Sequence, residues 1–524
     1  MIYRSPHADV EIPALSLSEF VFEHADTFAE RAAFVHAPTG QATTYRTLVD
    51  DISATAAGLA HAGIRRGTVV AIFSPNRPEY AVAFHAVARA GGACTTINPV
   101  ASADELAFQL RDAQARFLVT TPELMERARP VAAREGIERV FVFGQADGAE
   151  PFASLSSDAA PASVAIDPVS DLVSLPYSSG TTGLSKGVML THANLVANVC
   201  QLEPPIMPIG EGDVLVAILP FFHIYGQTFL LNLALRRGAT VVTIERFELE
   251  SFLQTLQDQR VTVGYLAPPL VLMLAKHPAV DGYDLSALRF IMSGAAPLSD
   301  EVASRCAERI DCEVFQGYGL TEASPVTNIT PPGLRPRRAS VGPLAPNTEG
   351  RLVDPATGGD AAAGVGGELW IRGPQVMAGY LANDEATAAT IVEDGWLRTG
   401  DIATVDADGW FTIVDRLKEL IKCNGYQVPP AQLEALLLTH PAISDAAVIG
   451  IADEAYGEVP KAFVVANGEP TAEDLMAFVA DRVAPYKRIR SLEFVDAIPK
   501  SASGKILRRV LAQREDPAGG IGTA

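Results

Sequence analysis

Cysteine is scarce in this sequence: five in 524 residues, at positions 94, 200, 306, 312 and 423. None stands in a Cys-x-x-Cys spacing and the number is odd, which weighs against a disulfide framework or a zinc cage. Basic residues are in deficit, 41 Lys and Arg against 62 Asp and Glu, for a net charge of −21. That excludes sequence-independent binding to nucleic acid, which draws its affinity from Lys and Arg on phosphates. It also makes a poor partner for an anionic membrane; the acidic excess reads as a solubility device. No run of about 18 apolar residues occurs, so no membrane span is expected. The opening MIYRSPHADVEIP lacks the basic and apolar regions of a secretory signal, and the closing GGIGTA is not a peroxisomal address. Internal repeats are absent. A cytoplasmic protein is expected.

With 48% hydrophobic residues, the chain is too long for one ordinary core, and at least two domains are expected. Short apolar runs alternate with helical patterns through the first two-thirds. TVVAIFS (68–74) reads as a buried strand, followed by a helix over 77–92 with Tyr80, Phe84 and Val87 on one face. FLVTT (117–121), VFVF (140–143), LVAIL (215–219), TVVTI (240–244), TVGYL (262–266) and FIMSG (290–294) are further strands with helices between them. Such alternation implies parallel sheets covered on both faces. After about residue 340 the short strands GELWIRG, GWLRTGD and DGWFTIVDR, separated by Gly and Asp turns, point to an antiparallel β subdomain. Helices and strands then alternate in a smaller α+β unit. The joint falls near Arg416–Lys418, dividing the chain into 1–416 and 417–524.

The stretch YSSGTTGLSKG (177–187) crowds hydroxyls and glycines around Lys186. It reads as a loop, because Gly and hydroxyl side chains compete with regular backbone bonding. It fails the Walker A template, since Ser185 precedes Lys186 and Gly187 follows it. The physics is shared all the same: backbone N–H groups, hydroxyls and one lysine converging on phosphate. His223 sits among aromatics in LPFFHIYG, where a core histidine is the plain reading and a pocket for an apolar acid the sharper one. In QGYGLTE (316–322), Tyr318 offers a flat ring, and Thr321 and Glu322 offer hard oxygens suited to Mg²⁺. Asp401 in RTGD could accept two ribose hydroxyls. DRLKELIKCNGYQ carries basic residues at 416, 418 and 422, and PKSASGKILRR puts Lys505 on a flexible tip. Each alone is modest.

Together and in this order, YSSGTTGLSKG, PFFHIYG, SGAAPLS, QGYGLTE, GWLRTGD, DRLKELIK and SGKILRR resemble the motif series of the adenylate-forming (acyl-activating) superfamily. The likeness runs from about residue 18 to 512 and is strongest to 4-coumarate–CoA ligases and their bacterial cinnamate and acyl relatives. The resemblance implies an α/β fold: a large N-terminal domain of two αβ-layered sheets plus a β subdomain, with a small mobile α+β C-terminal domain. It implies a two-step ligase using ATP, Mg²⁺ and CoA. The acid would attack the α-phosphorus, and CoA would then displace AMP from the acyl-adenylate.

Carried over position by position, Ser178, Ser179, Gly180, Thr181, Thr182, Gly183 and Lys186 would hold the β- and γ-phosphates. Tyr318 would stack on adenine beside Gly294, Ala295 and Ala296, within the Gln316, Gly317, Gly319 segment. Thr321 would meet the α-phosphate, Glu322 would bind Mg²⁺, and Asp401 and Arg416 would grip the ribose. Lys505 would bridge carboxylate and α-phosphate, and His223 would orient the acyl group. Lys418 would be the hinge. Lys422 and Gln427 would touch the AMP phosphate, and the Gly425 loop would face CoA. Tyr225, Thr228, Leu266, Met292, Gly294, Gly317, Gly319, Pro325 and Val326 would line the acid pocket. Thr228 and Met292 make it less polar than the plant pattern of Asn and Lys, and the two glycines at 317 and 319 would leave room for a flat ring.

One departure from the family is Cys423-Asn424-Gly425, where Tyr-Lys-Gly is usual; a basic residue is lost near the expected CoA path. The pocket suggests an arylpropenoic acid such as cinnamate or 4-coumarate, with a medium-chain fatty acid as the competitor. Transfer to a carrier-protein phosphopantetheine, a luciferase-like oxidation and a non-catalytic nucleotide-binding homologue are the other readings. The presence of Lys186, Glu322, Asp401, Arg416 and Lys505 argues against the last. Either a monomer or a homodimer is compatible, and Lys505 is a conceivable acetylation target.

Overall fold

The computed structural model describes residues 1–157, 164–178, 185–334, 337, 339–362, 364–423, 426–453, 456–501 and 504–515. Among these the strands form four sheets. In the first, Val69–Phe73 pairs in parallel with Ala93–Ile97 on one side and Phe117–Thr120 on the other. Arg139–Val142 and Leu172–Ser174 extend it in parallel. Such runs show no polar alternation because both faces are covered. The second sheet is also parallel through its centre. Its strands Ala32–His36, Thr240–Thr243, Val214–Ala217, Val263–Leu266, Phe290–Ser293 and Glu313–Gly319 lie side by side.

The helix Pro78–Arg89 lies between the two sheets and touches strands of both. Every residue from Tyr80 to Ala88 is buried. The one-face pattern expected from Tyr80, Phe84 and Val87 understates this. Alanines at 81, 83, 86 and 88 strip the other face of bulk, so a second sheet can close on it. Tyr80 meets Phe221 edge to face at 5.6 Å, and Phe221 meets Phe34 of the second sheet at 6.5 Å. The two sheets therefore share one core.

The third sheet is the expected antiparallel unit, built from Glu349–Val353, Gly367–Arg372, Trp396–Val405 and Phe411–Arg416. The N-terminal strand Ile2–Arg4 joins its edge, Ile2 opposite Arg351. The fourth sheet draws its strands from 421–494 and encloses a core of its own, including Ile421, Val448 and Leu475.

One local expectation changes, and one feature had no mark in the sequence. The ends of the glycine-rich stretch are strand, not loop: Tyr177–Ser178 pairs with Lys186–Thr191, placing Ser178 opposite Lys186. Ser179, Gly180, Thr181, Thr182 and Gly183 lie outside the described residues. After His223 the chain turns at once into helix, and its hydrogen bonding widens to the π pattern over Gln227–Leu233. Such widening recurs at functional sites.

Candidate active site

The C-terminal ends of the parallel strands, the third sheet and the loop carrying Lys505 enclose a cleft of about 1450 Å³. A ligand-binding crevice at strand C-termini is the general rule for parallel α/β sheets. Among the described residues seven basic side chains line the cleft against four acidic ones, in a chain whose net charge is −21. That local reversal of sign suits an anionic guest.

Of the residues singled out in the sequence, Ser178, Lys186, His223, Tyr225, Met292, Gly294, Ala295, Gly317, Tyr318, Gly319, Thr321, Glu322, Pro325, Val326, Arg416, Lys418 and Lys505 line the cleft. Asp401 stands directly behind the wall. Its carboxylate accepts a 2.5 Å hydrogen bond from the Tyr318 hydroxyl and lies 3.3 Å from Arg416 Nε. Burial pushes the Asp401 carboxyl up, and Arg416 and the Tyr318 hydrogen bond pull against it. The strand pairing that sets Asp401 opposite Arg416 is what assembles this trio.

His223 is half-buried at the cleft wall, and desolvation there pushes its imidazole down to about 4. Its Nδ1 accepts the Tyr225 backbone N–H at 3.2 Å. An accepting Nδ1 leaves the proton of the neutral ring on Nε2. His223 is thus a neutral N–H donor at neutral pH, the form that can bind a carboxylate oxygen without exchanging a proton with it.

Lys505 follows Gly504, whose φ of +83° makes a turn that glycine adopts freely. The turn is tied by Ser501 N–H to Lys505 O at 2.8 Å and Lys505 N–H to Ser501 Oγ at 3.1 Å. Burial lowers the pKa of Lys505, and the neighbouring Arg416 adds to the effect. A desolvated ammonium beside a guanidinium awaits negative charge.

Tyr380 joins the site without any mark in the motifs. Its hydroxyl donates to Glu322 Oε1 at 2.9 Å, and Lys186 Nζ sits 5.0 Å from its ring centroid. One tyrosine thus connects the lysine of YSSGTTGLSKG with the carboxylate of QGYGLTE. Nothing in VMAGYLAND signals this, because the place of Tyr380 comes from pairing Gly379–Tyr380 with Val188–Met189. Glu322 fits a magnesium ion arriving with phosphate: it offers carboxylate oxygen inside the cleft, and magnesium takes its other ligands from phosphate and water.

Several expected residues stand elsewhere. Ala296 and Gln316 do not reach the cleft, and Gln316 Oε1 accepts the Leu298 N–H. Thr228 is fully buried behind the wall, its hydroxyl donating to Ser324 O at 2.6 Å. Leu266 points to the opposite face of its strand and packs with Val271 and Leu274. Lys422 and Gln427 pair across a hairpin and are exposed outside the cleft. Strand alternation explains this: Ile421 and Cys423 face the core, so Lys422 faces away. Gly425 lies outside the described residues. The Cβ side of the two glycines opens no slot for a ring: the end of the Met292 side chain fills it at Gly317 and backbone fills it at Gly319. A Cβ on Gly317 would come 2.6 Å from Met292 Cε, and one on Gly319 would come 2.2 Å from Pro325 O.

The AMP-binding enzyme family matches residues 21–381, and its C-terminal domain matches residues 432–505. The chain belongs to this family. It is an adenylate-forming enzyme of the AMP-forming CoA ligase class, using ATP, Mg²⁺ and CoA. A 4-coumarate–CoA ligase 3 of Oryza sativa subsp. japonica is 41% identical over 526 residues, covering 98% of this chain and 95% of that one. An anthranilate CoA ligase, AuaEII, in complex with anthranoyl-AMP superposes with a TM-score of 0.89 at 26% identity, covering 97% of this chain and 99% of that one. ATP-bound MatB from Rhodopseudomonas palustris superposes at 0.87 with 28% identity, covering 95% and 98%. The apo form of MatB superposes at 0.77, with 27% identity over the same shares. Among the described residues no helix is long and apolar enough to cross a membrane.

Proposed function

We propose that this ligase activates a hydroxycinnamic acid such as 4-coumarate in two steps, residues 1–416 forming the ATP- and acid-binding domain and 417–524 the mobile one. The observation that carries the choice of acid is the pocket beside His223, walled by Tyr225, Phe229, Met292, Pro325 and Val326. The Tyr225 hydroxyl donates to Met292 O at 3.1 Å. It therefore keeps only its oxygen as an acceptor, which matches the O–H of a phenol and gives an alkyl chain nothing. The names of the similar plant ligases agree with this choice.

In the first step His223 Nε2–H would hold one carboxylate oxygen while the other attacks the α-phosphorus. Lys505 would lie against both anions and offset their repulsion, a matter of positioning and electrostatics more than of bond-making by the protein. Thr321 would sit at the α-phosphate, and Tyr318 and Arg416 would take the nucleoside, both held by Asp401 from behind the wall. Bound at Glu322, Mg²⁺ supplies charge neutralisation on the phosphates. Pyrophosphate leaves with the P–O bond it breaks. In the second step the CoA thiolate attacks the acyl carbonyl, and AMP departs with one of the original carboxylate oxygens.

All five cysteines are free thiols, which supports a reducing, cytoplasmic setting. A monomer and a homodimer are both compatible with this reading, and a carrier protein could replace CoA as acceptor only in the second step. With Asn424 in place of the usual lysine, CoA should bind weakly. Asn424→Lys is expected to lower the CoA KM about three- to tenfold with kcat little changed; an unchanged KM removes the loop from the CoA path. The acid is tested by kcat/KM for 4-coumarate, cinnamate, hexanoate and octanoate. 4-Coumarate should lead octanoate by at least about tenfold, and the reverse order would make this a fatty-acid ligase.

A further inference from the structure

The helix Pro268–Lys276 follows the strand Val263–Leu266 of the second sheet and meets the C-terminal domain at both ends. At its start the Lys505 loop presses close: a Cβ on Gly504 would come 3.2 Å from Ala267 Cβ and 3.2 Å from Pro269 Cδ. At its end Lys276 Nζ donates to Leu438 O at 3.0 Å and to Ile443 O at 3.4 Å. Leu438 closes the helix Pro430–Leu438, and Ile443 opens the strand Ile443–Asp453 of the fourth sheet. Carbonyls at a helix end have no partner within the helix, and they carry the negative pole of its dipole. A half-buried ammonium on the helix-end Leu438 carbonyl and the Ile443 carbonyl is a clasp that spans two domains, and it holds against the burial and the neighbouring Arg305 that lower its pKa. Helix geometry puts it about 12 Å along the axis from the Gly504 contact, and it stands outside the cleft.

We propose that Lys276 is a positioning residue for the first half-reaction: by gripping the end of Pro430–Leu438 it holds the C-terminal domain in the arrangement that keeps Lys505 in the cleft. The inference rests on the reading that this domain swings about Lys418 between the two steps. The better superposition on ATP-bound than on apo MatB agrees with an arrangement set for adenylation. Loss of the clasp raises the free energy of this arrangement alone, so it slows adenylation and leaves the other step its rate.

Lys276→Met keeps the aliphatic stem and removes the donors; Lys276→Arg keeps charge and donors. Two rates are measured on the full chain: single-turnover acyl-adenylate formation from 4-coumarate and ATP without CoA, and thioester formation from supplied 4-coumaroyl-adenylate with CoA. The Met variant should lose about tenfold in the first and nothing in the second, and the Arg variant should recover most of the loss. An unchanged first rate overturns the clasp. So does an equal fall in both rates with a lowered Tm, which would mark Lys276 as a general structural contact. Lys418→Pro separates the two layers of the argument. It should slow the second step more than the first, and equal effects on both would overturn the swing and the clasp with it.

Discussion

Lys505→Ala should slow acyl-adenylate formation by about 10²- to 10³-fold while ATP binding weakens far less. The backbone that carries the ammonium is fixed by a tied turn and a glycine, and among the described residues Lys505 makes no ion pair. Its surroundings disfavour its charge: burial first, then Arg416. Two incoming anions reverse that penalty, and the gain is greatest where their charges meet. The lowered pKa sets a sign. As pH rises, Lys505 of the free enzyme loses its proton earlier than an ordinary lysine, so the alkaline limb of kcat/KM for the first step should begin below the usual lysine range. The limb should vanish in the Ala variant. Pyrophosphate release at subsaturating substrate, followed against pH, reads both. Loss of folding or of ATP binding in Lys505→Ala would instead make the residue structural.

Acid should destabilise the fold steeply between about pH 6.5 and 4. His85 and His192 are buried and His223 is half-buried at the cleft, and desolvation pushes each down to about 4. His192 Nδ1 accepts the Leu17 N–H at 3.0 Å and His85 Nε2 lies 3.0 Å from Leu231 O, so both serve the fold as neutral rings. Above about pH 6.5 all three are neutral whether folded or not. As pH falls from about 6.5, the unfolded chain takes up protons that the folded chain refuses, and stability drops until pH passes the folded value near 4. Each ring accounts for about 3 kcal/mol across that window, against a total stability of about 5–15 kcal/mol for a typical protein. Denaturant unfolding at pH 7.5, 6 and 5 should show a steep loss of ΔG; a flat profile would mean the rings are solvated or paired.

The parallel strands were legible because burial on both faces leaves a simple mark, an apolar run such as VVAIF. Lys186, Tyr318, Glu322, Arg416 and Lys505 were legible as candidates because they stand in compact motifs of Gly, hydroxyl and charged side chains, and they line one cleft. What escaped the sequence is what depends on distant pairing. Ile2–Arg4 gives no sign that it will lie beside Glu349–Val353. Tyr380 becomes part of the site only because a two-residue strand docks on Val188–Met189. Thr228 and Leu266 lie behind the pocket instead of on its wall because the π-type segment and the strand alternation turn them away. Lys422 is a basic residue in a motif, yet strand alternation turns its side chain to solvent.

The most direct test of the chemistry follows one atom. 4-Coumarate labelled with ¹⁸O in its carboxylate is turned over with ATP, Mg²⁺ and CoA, and the products are weighed. If the carboxylate attacks the α-phosphorus, each AMP carries one ¹⁸O and the pyrophosphate carries none. Label in phosphate or pyrophosphate, or turnover that yields ADP, would contradict the acyl-adenylate and with it the proposed roles of Lys505 and His223.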